Sequence, residues 1–477
     1  MNTNHIIASL LMLTAALGLH AGDNISSLGE KGSFVINGNV DPSFGNLFEM
    51  AVTGYLDNYS KEIAIDNDGN FQSTIDIEGP LQEAYLYVNN DAVSIPLMPD
   101  KTVTVNCNNG KLTLSSNDKD FDRDLEFALL CHKNMRKRFL DINVASYYAL
   151  TDSAKSALVD SINDYINDYN KLIDDFEASS GTLANHNYFV HDAYFGVVGF
   201  IAGRPDLLPR ITAGQAALKS SEPYKCITGD DMKYPNTRSF ASRHITFNAT
   251  LNVYNDSLLS NDDYYNIIRA SRGISPDSLT ADVVNAYQLC NSMVFDPYEK
   301  IRPFADKTIE GITTPWLRSL LSKAVENYKL TSTGSDLPPM KLIDADGREL
   351  SLDSFKGKPV LLDFWSTGCG PCLEEFRQMD EFKKALGDKA DNLQIVTVCC
   401  GNPDNRLWKN MIKRHNLNDV NTVIMHNESA PIYSTIGYPT YILVGPDGKI
   451  VEWNTDRPST VLFKKQNNIP TTLDTIL

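Results

Sequence analysis

Two cysteines separated by two residues, Cys369-Gly370-Pro371-Cys372, constrain this chain more than any other stretch. They follow an apolar run, Pro359-Val360-Leu361-Leu362, which reads as a buried strand. They precede Leu373-Glu374-Glu375-Phe376-Arg377-Gln378-Met379, which reads as a helix. A cysteine pair at a strand-to-helix turn is a candidate redox site on three physical grounds. The spacing allows a disulfide across one helical turn. The helix N-terminus stabilises a thiolate on the first cysteine through unpaired N–H groups and the macrodipole. Pro371 suits a first helical turn, where its missing N–H costs nothing.

The longer motif, Asp363-Phe364-Trp365-Ser366-Thr367-Gly368 and then the cysteine pair, resembles the active-site stretch of the thioredoxin superfamily. A second signature, Ile436-Gly437-Tyr438-Pro439-Thr440-Tyr441-Ile442-Leu443-Val444, lies downstream in the expected order. The hairpin-like Met340–Leu350 stretch and the extra helix and strand between the two motifs are similar to the exported TlpA/ResA-type thiol–disulfide oxidoreductases. The resemblance covers roughly residues 335–477. It implies a thioredoxin-like fold and thiol–disulfide exchange, which needs no dissociable cofactor; a static disulfide or a metal site is the other reading of the pair, and the sequence offers no second ligand pair for a metal. It also implies a proline at 439 that is cis and faces the cysteines.

The chain has 477 residues, enough for about three domains. Its net charge of −17 argues against nucleic acid or an anionic membrane surface as the main partner. Residues 6–21 form an apolar run short for a membrane span. It fits a signal peptide (1–21) cleaved after Ala21, with export to the periplasm; an uncleaved N-terminal anchor is the other reading. Cys107, Cys131, Cys226 and Cys290 are scattered singly and show no zinc-ligand spacing. Their pairing is open.

Residues 32–115 alternate as β-strands with turn signals, including Asn67-Asp68-Gly69, and suggest a β-sandwich-like domain. Residues 118–330 change to a helical period. Its clearest stripe is Leu158, Ile162, Tyr165, Ile166, Tyr169, Leu172, Ile173 and Phe176, with Asp152 or Ser153 as cap. Residues 204–258 carry no firm pattern. Residues 331–339 read as a semi-rigid linker, and 340–477 as the thioredoxin-like α/β domain with an N-terminal hairpin and an inserted helix–strand unit. The expected fold class is therefore multidomain, α and β.

Within the last domain, Cys369 is the expected nucleophile, its sulfur reachable, and Cys372 the resolving thiol. Asp363 matches the buried acid of thioredoxins; burial in an apolar strand should raise its pKa and let it exchange a proton with Cys372. Thioredoxins place a lysine beside that acid, and here Thr397 holds the place. Glu375 matches the active-site glutamate of ResA-type proteins and points either back to the cysteines or out to solvent. Trp365, Gly370, Pro371, Tyr438, Pro439 and Thr440 are the expected substrate-binding residues, with the backbone of Tyr438 pairing to an extended substrate segment. Gly368 replaces a tryptophan that usually precedes the first cysteine, which removes an apolar lid. Cys399 and Cys400 are either buried thiols or a regulatory thiol near the pair.

The reading is a reductase of disulfides in exported proteins, recycled by an upstream thiol donor; the resemblance implies a membrane electron-transfer protein for that role. Two rivals remain at this level. One is a binding or scaffold protein in which residues 32–328 grip a partner. The other is a thiol peroxidase, which the Cys-Gly-Pro-Cys spacing fits poorly. The direction of exchange, reductase against oxidase or isomerase, is open.

Overall fold

The computed structural model describes residues 32–477 apart from 42–43, 45–46, 55, 57, 78, 89–90, 255–260, 368, 401–405, 416, 418, 425–428, 430–431 and 434–435. The expected signal peptide and Gly368 lie outside the described residues.

Eight strands come first: β1 (Gly32–Val40), β2 (Leu47–Thr53), β3 (Asn58–Ala64), β4 (Asn70–Ile77), β5 (Gln82–Val88), β6 (Asp91–Leu97), β7 (Thr102–Asn108) and β8 (Lys111–Ser116). They form two four-stranded sheets, ordered β4-β1-β7-β8 and β3-β2-β5-β6. Alternate residues of both sheets, such as Phe34 and Ile36 with Phe48, Met50 and Val52, share one hydrophobic cluster. The Asp-Gly signal marks a real turn. Gly69 takes φ +84, and Asp66 accepts the N–H groups of Asp68 and Asn70 at 2.9 and 2.8 Å.

Eight helices follow: α1 (Lys119–Tyr148), α2 (Asp152–Ser180), α3 (His186–Val198), α4 (Pro235–Tyr254), α5 (Asn261–Ile274), α6 (Ser278–Phe295), α7 (Tyr298–Gly311) and α8 (Pro315–Tyr328). α1 starts on Asp118, whose side chain accepts from the N–H groups of Asp120 and Phe121, and its Phe121 and Leu125 plug the strand cluster. α2 is capped by Thr151, not by Asp152 or Ser153: the Thr151 hydroxyl accepts the N–H of Ala154 at 3.2 Å, one residue earlier than expected. Its buried stripe runs from Leu158 to Ile173. The stretch without a firm pattern holds short 3₁₀ turns and then α4.

A seven-stranded sheet ends the chain, in the order β10-β9-β13-β12-β11-β14-β15. The strands are β9 (Leu342–Asp344), β10 (Glu349–Leu350), β11 (Val360–Trp365), β12 (Gln394–Cys400), β13 (Val420–Ile424), β14 (Thr440–Val444) and β15 (Ile450–Trp453). With them come α9 (Gly370–Leu386), α10 (Arg406–Arg414), α11 (Pro458–Gln466) and α12 (Leu473–Ile476). β11 pairs parallel with β12 and antiparallel with β14, so it lies inside the sheet. This C-terminal region is a thioredoxin-like domain.

Residues 331–339 are not a free spacer. Gly334 N–H donates to Ile450 O at 2.7 Å, Ile450 N–H donates to Ser335 O at 2.9 Å, and Lys449 pairs with Asp336 at 3.0 Å. β15 is an edge strand whose open backbone groups need partners, and this segment supplies them. A single hydrophobic cluster runs from the helices into one face of the large sheet, through Val360, Leu362, Phe364, Val396, Val398, Ile442 and Val444. Among the described residues, no helix is long and apolar enough to cross a membrane.

Candidate active site

All six residues of β11 are buried, so strand alternation decides which face each side chain meets. Leu362 and Phe364 join the cluster shared with the helices. Leu361 packs in the cluster that holds Met379, Phe382 and Leu386 of α9. Trp365 meets Phe376 of α9 edge-on, ring centroids 5.1 Å apart. Asp363 lies between Leu361 and Trp365 on this same face.

The chain turns after Trp365, with Cys369 N–H donating to Ser366 O at 3.0 Å. Cys369 is the N-cap of α9, and its sulfur accepts the N–H of Cys372 at 3.1 Å. A first-turn N–H is thus aimed at the sulfur that would carry charge as a thiolate. Pro371 occupies the first turn and, with Gly370, is exposed. Cys369 and Cys372 form a disulfide, Cα atoms 5.3 Å apart.

The Tyr438–Pro439 peptide is cis. Phe364 pairs with Thr440, so this turn lies beside the end of β11, where the cysteine turn begins. The Thr440 hydroxyl donates to Gly437 O at 2.7 Å and closes it. Tyr438 packs on the cluster that contains both cysteines, with Trp408 and Met411 of the inserted helix α10. The sulfur expected to be reachable is therefore shielded in the disulfide form: Cys369 is 3% exposed, and Cys372 is fully buried. Trp365 is wholly buried as well, held by Phe376, and offers no surface to a substrate in this state. Pro439 and Thr440 are buried and Tyr438 half-buried.

Asp363 is fully buried, and neither carboxylate oxygen has a partner at close hydrogen-bonding geometry. Burial pushes its pKa up to about 8; the charges of Glu375 and Asp419 push the same way, and the Tyr441 hydroxyl opposes them. Thr397 is its register partner on β12, but the Thr397 hydroxyl donates to Asn421 Oδ1 at 2.7 Å. Glu375 points neither to the cysteines nor to solvent. It is buried and accepts the backbone N–H and the hydroxyl of Ser459, at 3.0 and 2.7 Å, at the start of α11. The unpaired N–H groups of a helix start draw a carboxylate away from the sulfurs.

Cys399 shares the cluster of the disulfide, while Cys400 is on the opposite side of β12. Burial pushes both thiols up, Cys400 to about 12, which favours the inert reading over the regulatory one. Cys131 and Cys226 carry free thiols. Among the described residues, no group of three or more His, Cys, Asp or Glu could hold a metal. Tyr441 and Ser459 carried no obvious sequence signal, although the even spacing of Thr440-Tyr441-Ile442-Leu443 places Tyr441 on the α9 face with Leu443.

The family model described as Redoxin matches residues 332–468. The thiol-disulfide oxidoreductase ResA of Bacillus thuringiensis subsp. konkukian is 30% identical over 119 residues, covering 25% of this chain and 67% of that protein. ResA of Bacillus subtilis is 33% identical over 121 residues, covering 25% of this chain and 66% of that protein. Among solved structures, the thioredoxin domain of a thiol-disulfide oxidoreductase from Bacteroides vulgatus is 30% identical, covers 29% of this chain and 99% of that one, and has a TM-score of 0.25.

Proposed function

Because this chain belongs to the TlpA/ResA-type thiol–disulfide oxidoreductases of the thioredoxin superfamily, we propose that it reduces disulfides of exported proteins through Cys369 and Cys372. The observation that carries this reading is the Cys372 N–H directed at the Cys369 sulfur from the first turn of α9. That donor, with the other orphan N–H groups of the helix start, favours the thiolate on Cys369 over that on Cys372.

In the reduced protein the Cys369 thiolate attacks one sulfur of the target disulfide. The other target sulfur leaves as a thiolate and takes a proton from water. Cys372 then gives its proton to the Asp363 carboxylate and attacks the Cys369 sulfur. The second target sulfur leaves as a thiolate and takes a proton from water, and the protein holds the disulfide seen here. The target gains two electrons and two protons; an upstream dithiol donor returns them to the pair. An extended target segment pairing with the backbone at Tyr438 would be held in line with Cys369. Gly370 and Pro371 supply the open surface of the site. Export and a membrane-bound donor are part of this proposal.

Reduction of insulin by the full chain tests it. Wild type should be active, Cys369→Ala should be inactive, and Cys372→Ser should accumulate a mixed disulfide through Cys369. Undiminished activity of Cys369→Ala would overturn the assignment. The reduction potential, measured against glutathione, separates a reductase from an oxidase.

A further inference from the structure

Asp363 and Tyr441 are direct register partners on the antiparallel pair β11 and β14. Opposed residues of such a pair carry their Cβ atoms about 5 Å apart on the same face of the sheet. Both side chains meet the α9 face: Tyr441 shares a cluster with Leu361, Met379 and Phe382. Both are almost entirely buried, Asp363 at 0% and Tyr441 at 1% exposure. At close hydrogen-bonding geometry neither Asp363 oxygen nor the Tyr441 hydroxyl is satisfied in the disulfide form, yet the two lie near enough for the hydroxyl to act on the carboxyl as a donor. Buried polar groups without partners are rare and cost about 1–3 kcal/mol each. Two that face each other this closely are placed to tighten on one another when the carboxyl ionises.

The neighbours narrow the choice. On β12, Thr397 is spent on Asn421. On α9, Glu375 is held by Ser459, and its charge opposes an ionised Asp363. Before β13, Asp419 is paired with Lys383 at 2.7 Å and also opposes ionisation. Arg457, at the start of α11, lies near enough to act on the Tyr441 hydroxyl. Cys372 is the first-turn thiol of α9. Of the groups that act on Asp363, Tyr441 alone favours its charged form.

We propose that Tyr441 is the positioning residue for the Asp363 proton: its hydroxyl donates to the Asp363 carboxylate whenever that group is ionised. The role rests on the proton exchange between Asp363 and Cys372 proposed above. Before resolution, Asp363 is a carboxylate held by the Tyr441 O–H. When Cys372 loses its proton to Asp363, the neutral acid no longer draws the hydroxyl, and the pair relaxes to the looser arrangement of the disulfide form. Tyr441 moves no proton of its own; it sets how readily Asp363 gives up and takes back the one that Cys372 uses.

The test is a titration of the Asp363 carboxyl in the reduced full chain, by its carboxyl carbon resonance, with the pH profile of single-turnover exchange. Tyr441→Phe keeps the ring and the packing. It should move the Asp363 midpoint up by about one pH unit and the exchange profile with it. Asp363→Asn is the control and should flatten that profile. A Tyr441→Phe midpoint equal to wild type, with a flattened Asp363→Asn profile, overturns the role of Tyr441 and leaves the exchange reading standing. A wild-type profile in Asp363→Asn overturns both.

Discussion

Val294, next to last in α6, sits against Gly437, the residue before the Tyr438–Pro439 turn: a Cβ built on Gly437 would fall 2.8 Å from Val294 Cγ1. Asn454 fastens the same point, donating to Val294 O at 2.9 Å. The C-terminal end of a helix from the middle of the chain is thus one wall of the candidate substrate edge. Gly437→Ala forces that wall outward. Overpacking of this kind costs about 1–3 kcal/mol. Val294→Ala makes room, so the double variant should be more stable than the sum of the single losses, with a coupling of about 0.5–3 kcal/mol in urea unfolding. Additive losses would show that the two residues are not in working contact.

Asp363 gives a pH dependence with a definite sign. Its folded pKa, about 8, lies above the ordinary value of 3.8. Between those values the folded protein holds a proton that the unfolded chain has lost, so stability falls as pH rises from about 4 to 8. Below that window no ionisation cost remains; above it the full ionisation cost is present. Asp363→Asn should therefore stabilise the protein by about 2–5 kcal/mol at pH 9 and by little at pH 4. Thermal melts at the two pH values read it. Equal gains at both would refute the buried-charge account.

The cysteine turn was legible because its residue types leave few alternatives: an apolar run, two cysteines, a proline, then a helix period. The same holds for the Pro315–Tyr328 helix, marked by its proline, and for the Leu158–Ile173 stripe. α4 was not legible. It buries Thr237, Arg238 and Ser242 beside Phe240 and Ala241, so no apolar stripe shows. The Arg238 guanidinium donates to Met232 O at 2.8 Å and to the chain-distant Gly54 O at 2.7 Å. The direction of Glu375 was equally hidden, because its partner Ser459 lies 84 residues away. Sequence shows residue type and period; it does not show which distant backbone group waits for a carboxylate.

That partner makes Glu375 a second handle on Asp363, opposite in sign to Tyr441. Glu375→Gln keeps an acceptor for Ser459 but removes a charge that opposes ionisation of Asp363. The Asp363 midpoint should fall, whereas Tyr441→Phe raises it. Ser459→Ala removes one hydrogen bond at the start of α11 and should cost about 1 kcal/mol without abolishing exchange. Carboxyl titration and urea unfolding check the two separately. A midpoint unmoved in Glu375→Gln would mean the charge is screened from Asp363.

His191 and Asp192 predict a cancellation far from the cysteines. Burial pushes Asp192 up to about 7, helped by the Glu83 charge, while Tyr169 and Asn236 donate to its carboxylate. Burial holds the neighbouring His191 down to about 4. At pH 5–6 the folded pair keeps its one proton on Asp192; the unfolded pair keeps it on His191. Proton counts match, so together they add almost no slope to stability in that range. Each variant uncovers the other group. Asp192→Asn leaves His191, whose lowered pKa makes stability rise with pH from about 4 to 6.5. His191→Gln leaves Asp192, whose raised pKa makes stability fall from about 4 to 7. Relative to wild type, each slope approaches about 1.4 kcal/mol per pH unit, with opposite signs. Urea unfolding at pH 4.5 and 6.5 measures both. Slopes of the same sign would show that the proton does not change owner on folding.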